Sequence, residues 1–151
     1  MRAFGNILWH FPFFGFVSAS LVYLYGLLLT LTVIAAPIGL GYMELGKFLF
    51  KPFGNAMVSK SELNVDQNAA WKTYGTIVRI LFIPFGLLFL LIGVIQTAGL
   101  FISILGIPAG LVVAKSLGTY WNPVNKKCVP AAVSNELQRR KDEEAVKKHL
   151  G

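Results

Sequence analysis

The chain has 151 residues, 55% of them hydrophobic and 14% charged, with a formal net charge of +7. Residues 3–43 and 80–114 contain no Asp, Glu, Lys or Arg, and a soluble core helix has no need of such stretches. Because roughly 20 apolar residues rising about 1.5 Å each cross a hydrocarbon layer of about 30 Å, the composition excludes an ordinary soluble domain and identifies an integral membrane protein.

Along the chain, a lone Arg2 precedes an apolar run far longer than a signal peptide, so the start is expected to be retained. Two apolar blocks follow, and each reads as a hairpin. "VYLYG" at 22–26 and "QTAG" at 96–99 are the expected turns, since tyrosine suits the headgroup level and glutamine is the one polar interruption of its block. The resulting spans lie near 4–24, 27–50, 76–95 and 99–121. The expected fold is all-α: four transmembrane helices, arranged as two tandem, parallel-oriented hairpin repeats whose second helices are broken by Pro and Gly. Its parts are a first repeat at 1–54, a cytoplasmic linker at 55–75, a second repeat at 76–125 and a basic tail at 126–151. A competing topology has two long spans, each followed by a short re-entrant helix starting at Pro37 or Pro108.

The repeat is carried by an offset of 71, which superposes Pro37, Gly39, Leu40 and Pro52 on Pro108, Gly110, Leu111 and Pro123. Proline inside a helix removes a donor and kinks it, while Gly39, Gly41, Gly106 and Gly110 allow close backbone approach. Broken helices can be plain packing devices, or can expose half-helix ends along a permeation path. The same offset puts Glu44 on Lys115. If the halves pack about a pseudo-two-fold axis, these two could meet as an ion pair or line a pathway; they could also snorkel, with Lys47 pairing locally to Glu44. Pro37, Gly39, Glu44, Pro108, Gly110 and Lys115 are therefore the candidate pathway or inter-repeat residues.

Lys51, Lys60, Lys72 and Arg79 flank the linker and further Lys and Arg fill the tail, whereas the proposed outer turns have none. The positive-inside rule then places both termini in the cytoplasm. The tail reads as a solvated helix capped near Asn135, with Glu143–Lys147 and Glu144–Lys148 pairs; Arg139, Arg140 and Lys141 are its candidates for contact with anionic lipid. Cys128 is the single cysteine and reads as an inert thiol.

Chemistry finds little footing. His10 and His149 have no metal-ligand spacing, no phosphate loop is present, and serines in membrane helices usually bond their own backbone. No metal, cofactor, catalytic residue or nucleic-acid partner is expected; the first place to seek an active site would be a polar cavity around Ser103 and Gln96.

"NILWHFPFFG", the segments "APIG" and "GIPAG", and the half-endings "KPFGNAMV" and "NPVNKKCV" resemble the YccF family of small bacterial inner-membrane proteins, which contain tandem inner-membrane component domains. The similarity covers about residues 4–130, and the second copy departs by having Val124 and Asn125 where the first has Phe53 and Gly54. The resemblance implies a bacterial inner membrane and a cytoplasmic C-terminus, and brings no reaction with it. The expected function is a homo-oligomeric channel or transport component for ions or small solutes; the alternative is a non-catalytic scaffold or accessory subunit binding lipid or a cytoplasmic partner.

Overall fold

The computed structural model describes residues 1–151. Helix α1 (Arg2–His10) leads into α2 (Gly15–Leu31), which turns into α3 (Ala36–Phe50), followed by strand β1 (Asn55–Ser59) and a 3-10 turn at Lys60–Leu63. Helix α4 (Ala69–Ile102) passes through a 3-10 turn at Ile104–Gly106 into α5 (Ile107–Trp121), then β2 (Lys126–Pro130) and α6 (Ala131–Leu150). The protein is mostly helical. Ala69–Ile102 and Ile104–Trp121 are each long and apolar enough to cross a membrane, and α1 with α2, bent by 79°, makes a third such stretch if the two are taken together. Only 30 of 151 residues are buried, because α2 and α4 turn Leu21, Leu28, Leu81 and Ile95 outward, as helices facing lipid do.

The turns correct the expected spans. They fall at 32–35 and 103–106, not at 22–26 and 96–99, so Tyr23 and Tyr25 lie within α2 and Gln96 within α4. Proline explains the difference. Pro37 and Pro108 occupy the first two positions of α3 and α5, where the missing N–H would be unpaired anyway and the fixed φ suits the helix. They open the second helices instead of breaking them. Pro84 is carried inside a continuous α4. At about 22 Å each, α3 and α5 are shorter than the hydrocarbon layer of about 30 Å.

Two strands appear where linker and tail were expected. α3 and α5 have equal length and begin 71 residues apart, and so do β1 and β2. The strands pair antiparallel with Met57 opposite Cys128 at the centre of the register. Each leaves its hairpin after a connection of equal length, 51–54 or 122–125, so antiparallel pairing makes α3 and α5 run in opposite senses. Gly41, early in α3, lies against Pro123 beyond the end of α5, while Lys115 in α5 reaches Pro52 beyond the end of α3. Tyr74 near the start of α4 donates to the Ile34 carbonyl at 2.6 Å, in the turn of the other hairpin. The hairpins therefore dock head to tail, which corrects the parallel orientation expected for them.

Leu45 and Phe48 of α3, Val112 of α5 and Val124 fill the seam between the halves. α6 starts at Ala131 behind Pro130, earlier than the expected cap at Asn135. Its ion pairs centre on Glu136 and Arg139 in place of the expected Glu143–Lys147 and Glu144–Lys148 pairs, and Lys141 reaches back to Glu62 beside β1.

Candidate functional site

The seam gathers the charges that the sequence singles out. Glu44, half-buried on α3, accepts from Lys47 with one carboxylate oxygen and from the Cys128 backbone N–H with the other, at 2.9 Å. Lys115 donates to the Pro52 carbonyl at 3.4 Å and stands 5.1 Å from the Phe53 ring centroid. The two do not meet as an ion pair. Instead each reaches the backbone of the opposite half, so the offset of 71 relates two inter-half contacts of the same kind. Burial, with the Glu44 carboxylate beside it, pushes the Cys128 thiol up to about 11, which keeps it protonated at neutral pH.

The Pro and Gly candidates serve packing. Pro37 and Gly39 are buried, and a Cβ on Gly39 would lie 2.5 Å from the Gly26 carbonyl of α2. Gly110 faces Leu100 and Phe101 of its own hairpin. Pro108, with Ile107 and Leu111, forms one wall of an apolar groove of about 600 Å³ against α1. Arg139, Arg140 and Lys141 are exposed, and each is paired: the arginines with Glu136, the lysine with Glu62. The Lys141 contact holds the Glu62 carboxyl below its ordinary range against the opposing effect of burial, and the Ser59 N–H adds a lesser share.

Sequence reasoning missed the work of α1. The Asn6 side-chain oxygen accepts from the Phe53 N–H at 3.1 Å, Trp9 Nε1 donates to the Leu49 carbonyl at 2.8 Å, and His10 Nε2 donates to the Phe50 carbonyl at 2.9 Å. The last carbonyls of α3 have no partner within the helix, and α1 supplies one. The polar residues interrupting "NILWHFPFFG" were the available signal.

Of the cavity sought around Ser103 and Gln96, the structure has Gln96 in one of about 400 Å³, lined by Tyr25, Tyr42 and Tyr120 together with Phe89, Ile92 and Gly93 and without Ser103; the tyrosines were the part missed. Gln96 also lines a second cavity, of about 430 Å³, with Trp9 and Leu100. Ser103 sits at the α4–α5 turn, where its carbonyl accepts from Gly106 at 2.8 Å. The hydroxyls of Ser20, Thr97 and Ser116 each donate to the carbonyl four residues earlier, and no three His, Cys, Asp or Glu side chains converge as a metal would require.

Residues 4–55 match the family described as YccF, inner membrane component domain. That segment is similar to the YccF domain. It takes in α1 from Phe4 onward, α2, α3 and the first residue of β1, so the matched segment holds both Glu44 and the α1 residues that satisfy the end of α3. No curated protein and no solved structure matches the chain. Together with the apolar helices, the YccF match marks the chain as an inner-membrane protein.

Proposed function

We propose that the protein is a non-catalytic inner-membrane scaffold, in which two YccF-type repeats dock into a single pseudo-two-fold module that assembles with further copies of itself. The observation that carries this is the use made of Glu44 and Lys115: each is spent on the backbone of the opposite half, so they clamp the module instead of lining a path through it. The four-residue connections and the identical spacing of α3, α5, β1 and β2 support the tandem-repeat reading, with the second repeat at 76–125 diverged from the first. The basic ribbon and tail face the cytoplasm, following the positive-inside rule, and offer a platform to a partner.

A solute pathway between copies is the second reading. It is favoured by Gln96, which is exposed on the charge-free part of α4 and lines a cavity with Tyr25, Tyr42 and Tyr120; an exposed amide on an apolar helix seeks a partner on a neighbouring helix. Flux in proteoliposomes separates the two. For a scaffold, wild type passes no ions or small solutes above empty liposomes, and Glu44→Gln and Lys115→Met lower thermal stability without creating flux. Flux through an intact oligomer that changes with either substitution would transfer the protein to the transport class.

A further inference from the structure

The groove between α1 and α5 has no occupant from within the chain. Ile107, Pro108 and Leu111 form one wall and Phe4 and Leu8 the other, with Phe53 at the edge. Arg2 lines it too, and takes part in none of the ion pairs of the molecule. Lys115 lies one helical turn beyond Leu111, its ammonium over Phe53 and bonded only to the Pro52 carbonyl. The two cations share Phe53 as a neighbour: Arg2 lines the groove together with it, and the Lys115 ammonium stands 5.1 Å from the centroid of its ring. Lys47, Arg139, Arg140 and Lys141, by contrast, all have acidic partners.

Both cations are exposed at the edge of an apolar groove without a carboxylate partner, a setting that favours an anion from outside the chain. The surroundings specify its form. Phe4, Ile7, Phe11, Ile104 and Leu105 are all exposed around the groove, which makes this a lipid-facing region, where an anion arrives attached to hydrocarbon. Arg2 sits on an amphipathic helix bent 79° from α2, the kind of helix that lies among headgroups.

We propose that the α1–α5 groove binds an anionic phospholipid, with its phosphate between Arg2 and Lys115 and an acyl chain along Leu8, Pro108 and Leu111. This goes beyond the scaffold reading, and it stands or falls independently of whether solutes are conducted.

The test is native mass spectrometry of the full chain released from detergent, with added phosphatidylglycerol or phosphatidylcholine. Wild type should retain phosphatidylglycerol preferentially, with about a five-fold loss for each charge removed in Arg2→Gln and Lys115→Met. Leu111→Trp, which fills the groove and leaves both charges, should also reduce retention, whereas Arg139→Gln with Arg140→Gln should not. Arg2 is exposed and unpaired, so Arg2→Gln alone is decisive if the Lys115 variant fails to fold. Equal retention of the two lipids by wild type, unchanged retention in Arg2→Gln, or loss confined to the tail variant would overturn the proposal.

Discussion

At Gly41 one hydrogen atom is all that fits between the halves. A Cβ built there would sit 1.8 Å from the Pro123 carbonyl oxygen, and both groups belong to backbone that cannot turn aside. Gly41→Ala should therefore destabilise the protein by about 3 kcal/mol or more. Gly118 supplies the contrast: nothing lies within 4 Å of its built Cβ, so Gly118→Ala changes only helix propensity and should stabilise by about 1 kcal/mol. Thermal unfolding of both variants in the same detergent checks the pair. The sequence marks Gly39 and Gly41 as places for close approach, but not against what. Gly39 meets the neighbouring helix and Gly41 the far end of the other hairpin, and composition cannot tell a contact within a hairpin from one between hairpins.

Elements are governed by their ends. Pro37 and Pro108 were legible as punctuation, and their equivalence under the offset of 71 holds in the structure as two helix starts. Their role as openers was harder to read, because residues 3–43 and 80–114 have no charge to show where one helix stops. The bend between α1 and α2 falls at Pro12, legible in the sequence as a break, whereas its angle of 79° was not. What settles that bend is polar: Asn6, Trp9 and His10 answer the open carbonyls and amide at the end of α3 and the start of its connection. Trp9→Phe keeps most of the ring and removes the one donor to Leu49, so it should cost about 1 kcal/mol. A lower unfolding midpoint, with faster hydrogen exchange in α1 than in α4, is the expected result.

Across the whole molecule, the polar layer depends on few contacts. α6 returns to the ribbon through Lys141 and Glu62. The Glu62 pKa is depressed in the folded state, so this contact stabilises the docked tail above the ordinary carboxylate range, and is lost as pH falls through the lowered value. The protection of α6 against hydrogen exchange, relative to the intrinsic amide rate at each pH, should fall between neutral pH and pH below about 4, and Glu62→Gln should show the lower protection already at neutral pH. The ribbon itself was invisible in the sequence, since "NAMVS" and "KKCVP" are too short for a period of two to stand out, although the offset of 71 also places Val58 on Val129 and both lie in it. That ribbon gives the short connection at 60–68 a further role. Because it joins the two halves in one chain, the meeting of β1 with β2 across residues 60–125 is an intramolecular step, independent of protein concentration. Partner choice between halves is thereby insulated from how much protein the membrane holds. Two separate half-chains with the same surfaces would have to find each other by diffusion, and would pair as readily with the wrong neighbour as with the right one.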